Sequence, residues 1–198
     1  IEQYCDICFM PSVEEMFPTP PTENYNFGSL ETVMEGAMRP GHFNGVGIIV
    51  GRLFHIVEPN KAYFGKKDFQ QLVIIRRLVA MLNLPIEICP VEIVRDNDGL
   101  ALSSRNKRLS EEARKIAPFI YATLCSAKQQ VDFLSPKKLE EWIVQQFINN
   151  KNFELEYVQI VNGETLQQID NYTDSNSIVI CIAAWLDNVR LIDNITIK

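Results

Sequence analysis

Apolar side chains recur at helical spacing in two stretches of the chain. Val46, Ile49, Val50, Leu53 and Val57 mark a helix from Phe43 to Val57, which Pro59-Asn60 ends. Leu72, Ile75, Leu78, Val79 and Leu82 lie on one face of a second, from Asp68 to Leu82. Lys61 to Phe64 and Ile86 to Val94 read as short buried strands on either side of that second helix. Strand, helix and strand at these lengths predict a βαβ unit, hence a parallel sheet with a right-handed crossover. Ahead of it, Cys5 to Met10 reads as a buried parallel strand, which puts Cys5 and Cys8 in the interior as structural residues. Ser12-Val13-Glu14-Glu15 has the capping-box pattern of a short helix. Pro18-Thr19-Pro20-Pro21 breaks it, Tyr25-Asn26-Phe27 reads as a brief edge strand, and Ser29 to Glu35 as one or two helical turns. Gly36 to His42 reads as an irregular loop.

Asp96-Asn97-Asp98-Gly99 is a strong turn signal, and beyond it the pattern changes. Ser110 caps a helix with Glu111 and Glu112 in its first turn, and Ser135-Pro136 opens another with proline at the first helical position. Leu155 to Val161, Ile178 to Leu186 and Val189 to Ile197 alternate as strands, the last two forming a hairpin across Asp187-Asn188. Two domains are therefore expected. Residues 1–95 form an α/β unit around a parallel sheet, and residues 96–198 a small α+β unit.

Composition narrows the class. A hydrophobic content of 46% with 22% charged residues excludes disorder. The net charge of −6 argues against general nucleic-acid binding, yet Lys66, Lys67, Arg76, Arg77, Arg105, Lys107 and Arg108 crowd the central third. A local anion site on an acidic protein is the reading. No apolar run reaches membrane-spanning length, and five irregularly spaced cysteines fit reduced, cytoplasmic thiols rather than a disulfide framework or zinc site. His55, on a helix, reads as structural, whereas His42, in a glycine-flanked loop, has room for a pocket role. Trp142 and Trp185 read as core anchors.

Two polar motifs carry the candidate chemistry. Gly65-Lys66-Lys67-Asp68-Phe69-Gln70-Gln71 sits between a strand and a helix, where backbone N–H groups and the helix dipole favour an anion. Gly65 lets the backbone turn and a ligand approach, and Lys67 is placed to neutralise a phosphate. The competing reading makes Asp68 an N-cap with Gln71 reaching back to complete a capping box. Leu102-Ser103-Ser104-Arg105-Asn106 adds hydroxyl donors and a guanidinium fork, against the alternative of an ordinary capped turn. Together the two motifs suggest a polyphosphate held from two sides.

Those motifs, with Glu35-Gly36-Ala37-Met38-Arg39-Pro40-Gly41-His42-Phe43, Ala183-Ala184-Trp185-Leu186 and Arg190-Leu191-Ile192-Asp193-Asn194, resemble the pantoate–β-alanine ligase (pantothenate synthetase) family over essentially the whole chain. The resemblance implies part of a Rossmann-like nucleotidyltransferase domain followed by a C-terminal lid, in a cytoplasmic homodimer. It implies condensation of pantoate with β-alanine through a pantoyl adenylate, using ATP and Mg²⁺, with no nucleic-acid or membrane partner. Gly65, Lys66, Lys67, Asp68, Val94, Leu102, Ser103, Ser104 and Arg105 are then the ATP-contacting residues, with Lys67 and Arg105 catalytic. Gln71, Ile49 and Val50 fall at the pantoate pocket, and Lys66 departs from the acidic residue expected at its position. The family's H-x-G-H motif and an upstream glutamine are not found in this sequence. The chain is thus expected to match the C-terminal two thirds of a family member and to be inactive by itself. The alternatives are another enzyme of the nucleotidyltransferase superfamily, or a non-catalytic fragment that dimerises or binds ligand.

Overall fold

Ser12 accepts a hydrogen bond from the backbone of Glu15 and Glu15 returns one to the backbone of Ser12, so the expected capping box opens helix α1 (Val13–Met16). The computed structural model describes residues 3–198. Ile1 and Glu2, in the first expected domain, lie outside the described residues. The strand expected at Cys5 to Met10 does not form. A strand exists only with a ladder partner, neither sheet among the described residues takes in this segment, and Ile7 is 86% exposed. Cys5 and Cys8 are accordingly exposed rather than buried.

Tyr25 to Phe27 is likewise not a strand. The Phe27 ring is buried and Tyr25 lies against the next long helix. A 3-10 turn (Gly28–Glu31) and a short helix α2 (Met34–Met38) stand where one or two helical turns were expected, and α2 also takes in Gly36 to Met38 of the expected loop. Helix α3 (His42–Val57) and helix α4 (Phe69–Met81) flank strand β1 (Lys61–Gly65), and strand β2 (Glu87–Val91) follows. β1 and β2 pair in parallel from Lys61 opposite Glu87 to Gly65 opposite Val91, so the βαβ unit stands, with β2 shorter than its apolar run. Phe27, Phe43, Ile74 and Leu78 form the seam between α3 and α4. Gly47 is needed there, since a Cβ would come within 2.8 Å of the Tyr25 ring.

The second half follows its sequence pattern closely. The Asp96–Gly99 turn closes with Gly99 at φ +93°, a conformation that favours glycine. Ser110 caps helix α5 (Glu111–Ile116), helix α6 (Phe119–Lys128) follows, and Pro136 opens helix α7 (Pro136–Asn149). Strands β3 (Phe153–Asn162), β4 (Ile178–Leu186) and β5 (Val189–Thr196) make an antiparallel sheet in the order β3-β4-β5. The β4–β5 hairpin turns on Asp187 and Asn188, both at positive φ, the geometry whose twist matches the strands. One face of the sheet buries Ile160, Ile180, Ile182 and Ala184 against Leu124, Leu139 and Ile143 of α6 and α7. The opposite face packs Val161, Val179 and Cys181 on Met34 and Val73 of the first half. The architecture is mixed α/β, with a parallel pair and a separate antiparallel sheet.

Candidate functional site

Between the two halves lies a narrow cleft of about 50 Å³. The β1–α4 turn enters from one side with Lys67, Asp68 and Gln71, while the lid turn Ser104–Arg108 brings Arg105 from the other. Glu35, Arg39 and His42 approach from α2 and the start of α3. β5 supplies Asp193 and Asn194.

Three sets of hydrogen bonds hold this frame. Asn194 Nδ2 donates to the carbonyls of Lys66 and Lys67, at 2.8 and 3.0 Å, fastening the lysine turn to β5. The Arg95 guanidinium binds both Asp193 oxygens, at 2.6 and 2.9 Å, and stacks 3.6 Å over the Tyr121 ring. Buried Gln70 donates to the carbonyls of Leu30 and Val33 and accepts from the Glu35 N–H, so its side chain fixes the loop ahead of α2.

A half-buried ionic network adds to these three sets. Arg190 of β5 forks onto Glu35, at 2.7 and 2.9 Å, and also binds Glu156 of β3. Tyr157 donates to the same Glu35 at 2.8 Å. Burial is the largest influence on the Glu35 carboxyl and pushes its pKa up. The hydrogen bonds from Arg190 and Tyr157, with the charges of Arg190 and Arg39, outweigh it and leave the pKa lowered. Burial, with the negative charge of Glu35 nearby, drives the Tyr157 phenol well above its ordinary value, so it stays a donor. Burial likewise pushes the Cys181 thiol in the cleft wall up to about 12, which makes it an inert wall rather than a nucleophile. The His42 pKa is lowered by burial and by Arg39, leaving a neutral imidazole at pH 7 that lies 3.2 Å from an Arg39 nitrogen.

The expected site residues divide clearly. Lys67, Asp68, Gln71 and Arg105 line the cleft, and Ser103 lines a recess that shares Lys67 and Arg105 with it. Ser103 Oγ also accepts from the Arg105 N–H, so the capped-turn reading and the cleft placement both hold for it. The Asp68–Gln71 capping box does not form, since Asp68 makes no side-chain cap bond. Gly65 sits at φ −68° with open space at its Cβ, so the backbone does not require glycine there. Lys66 turns away to pair with Glu92. Val94 and Leu102 are exposed and joined by a backbone hydrogen bond of 2.9 Å. Ser104 opens the lid turn without lining the cleft, and Ile49 and Val50 lie on α3 away from the cleft lining. His55 bonds its own helix at the Gly51 carbonyl, as a structural histidine does. Trp142 packs on the lid core, whereas Trp185 is 37% exposed at a rim and is no core anchor.

Sequence reasoning missed Glu35, Tyr157, Glu156 and Gln70 as shapers of the site. The one signal was charge beside apolar positions, for Glu35 and for Glu156 on its strand; Tyr157 and Gln70 carried none.

A two-sided cation cleft between a βαβ turn and an antiparallel α+β half defines a nucleotide-using α/β enzyme. The family model described as pantoate-beta-alanine ligase matches residues 1–196, and the chain belongs to that family. It is 47% identical over 194 residues to a protein of Porphyromonas gingivalis named pantothenate synthetase, covering 98% of this chain and 69% of that one. A protein of the same name from Azobacteroides pseudotrichonymphae is 50% identical over 188 residues, covering 95% of this chain and 67% of its own. Among solved structures, pantothenate synthetase from Thermus thermophilus superposes with a TM-score of 0.92 at 39% identity, over all of this chain and 71% of that one. Pantoate-beta-alanine ligase from Francisella tularensis, solved with beta-gamma ATP and beta-alanine, matches with a TM-score of 0.69 at 31% identity, over 92% of this chain and 61% of that one. Among the described residues no helix is long and apolar enough to cross a membrane.

Proposed function

We propose that the cleft activates pantoate with ATP. A pantoate carboxylate oxygen attacks the α-phosphorus, the bond to the bridging oxygen breaks, and pyrophosphate leaves with the electron pair. The β-alanine amine then attacks the acyl carbon of the adenylate, AMP departs, and the nitrogen loses its extra proton to give pantothenate.

One observation carries the reading. Four nearby cations are neutralised: Lys66 by Glu92, Arg95 by Asp193, Arg114 by Asp96 and Asp98, and Arg190 by Glu35 and Glu156. Lys67 and Arg105 form no ion pair among the described residues, and both face the cleft from opposite sides. Positive charge without a protein partner, fixed in place beforehand, suits a developing phosphate charge. Lys67 is assigned to the transferring phosphate, Arg105 and Ser103 to the triphosphate, and Gln71 to pantoate. Mg²⁺ enters with ATP. Among the described residues no three His, Cys, Asp or Glu side chains gather to hold a resident cation, and Asp68 is a carboxylate that faces the cleft.

The division at residues 95 and 96 belongs to the same proposal and rests on the Asp96–Gly99 turn; homodimerisation rests on the family resemblance, and a cytoplasmic location on that resemblance and the cysteine pattern. The chain spans 67–71% of the lengths of the first three relatives named above.

Arg105→Lys keeps the charge but loses the fork, so calorimetry of the enzyme carrying this chain should show weaker ATP binding, and Arg105→Ala weaker still. Unchanged affinity in both variants reduces the segment to a capped turn.

The two neighbouring glutamines separate substrate contact from structure. Gln71→Ala removes a cleft side chain that makes no cap bond, so the pantoate KM should rise while the melting temperature stays put. Gln70→Ala strands buried backbone groups, at about 1–3 kcal/mol for each one left unpaired. It should lower the melting temperature by several degrees. The opposite pattern would reassign both residues.

A further inference from the structure

Two further cations gather beside the cleft. Arg39 and Arg108 form no ion pair among the described residues, and they meet Arg105 and Arg190 around a hollow of about 240 Å³ that Trp185 and Asn188 complete. No carboxylate lines it. Arg190 is spoken for by Glu35 and Glu156, and the neutral His42 beside Arg39 leaves that guanidinium its full charge. In a protein of net charge −6, Arg39 and Arg108, both exposed, and the half-buried Arg105 nonetheless present three guanidiniums to one space. Arg39 and Arg105 line both this hollow and the main cleft, so the two spaces adjoin.

We propose that the hollow is a second anion subsite, which takes inorganic pyrophosphate as it leaves the cleft. This rests on the adenylation reading for the identity of the anion, and on the guanidinium geometry for its class, a compact polyanion with two phosphoryl groups. Arg105 hands the anion from the cleft side, while Arg39 and Arg108 receive it with forks that match phosphate oxygens bidentately. Asn188, at the tip of the β4–β5 hairpin, adds a neutral donor at the outer wall. The subsite draws the leaving group off the α-phosphorus side before β-alanine arrives, and so opposes reversal of adenylation.

The test is a titration of the enzyme carrying this chain with inorganic pyrophosphate, followed by calorimetry and by tryptophan fluorescence. Trp185→Phe assigns the optical signal, since Trp142 is the one other tryptophan and packs on the lid core. Saturable binding is expected, weakened about tenfold or more in Arg108→Ala, the scale of one lost charged hydrogen bond. Arg108 ends the lid turn as an exposed residue with no side-chain hydrogen bond, so an unchanged melting temperature should accompany the loss. Arg108→Lys should recover part of the affinity. The inhibition constant of pyrophosphate against turnover should rise by the same factor in Arg108→Ala. Pyrophosphate affinity unaltered in Arg108→Ala overturns the subsite. Equal binding of orthophosphate or sulfate overturns its assignment to pyrophosphate, and an unaltered inhibition constant overturns its role in product release. Binding through Arg108 without any pantoate-dependent reaction keeps the subsite and sinks the adenylation reading instead.

Discussion

Replacing Lys67 with alanine should slow pantoate activation by roughly 10²–10³, the scale for one preorganised transition-state donor removed. Lys67 leaves the end of β1 on a backbone that Asn194 grips by two carbonyls, and its ammonium has no ion-pair partner among the described residues. The side chain is therefore aimed without being consumed by a structural contact. Folding should hardly register the change, because the grip acts on the main chain. Rapid-quench measurement of AMP-anhydride formation in the enzyme carrying this chain gives the rate, and the melting temperature gives the control. A well-folded variant with an undiminished rate removes Lys67 from the chemistry.

The largest effect on stability should come from Arg190→Ala. Arg190 is the single cation between Glu35 and Glu156, and all three side chains are 12–13% exposed. Removing it leaves two carboxylates facing each other away from water. A buried ion pair broken from one side costs about 3–5 kcal/mol, which for a domain of this size lowers the melting temperature by roughly 10 °C. Arg190→Lys should recover only part, since one ammonium cannot fork onto two carboxylates. The pH dependence has a definite sign. Glu35 has a depressed pKa in the folded state, so its share of stability is present at neutral pH and is lost as the pH falls through the folded value. Wild-type and Arg190→Ala melting curves should therefore converge in acid. Curves that stay parallel down to pH 3 contradict the network.

Much of this was legible in the sequence, for identifiable reasons. The long helices α3 and α4 and the strands β3 to β5 were visible because each buries a continuous apolar face, and periodicity reports burial. The Asp187-Asn188 hairpin was visible because its residue types suit positive φ. Cys5 to Met10 was misread because an apolar extended run carries no record of whether a partner strand is present. Tyr25 to Phe27 misled for a related reason, since its aromatics pack on α3 rather than in a ladder. At the site, the lysine turn and the serine–arginine turn stood out locally. Glu35 and Arg190, 155 positions apart, did not, because a polar pair formed only by tertiary contact has no local signature. The same holds for Gln70, which drew no role of its own beside the expected capping residue Gln71 and is a buried brace.

The central claim is that Lys67 and Arg105 converge to run adenylation rather than simple phosphate transfer. The most direct test is exchange of labelled pyrophosphate into ATP by the enzyme carrying this chain, with pantoate and Mg²⁺ but no β-alanine. The account predicts exchange that requires pantoate, collapses in Lys67→Ala, and gives way to stoichiometric AMP and pantothenate when β-alanine is added. Exchange without pantoate, or ADP in place of AMP on full turnover, would contradict it.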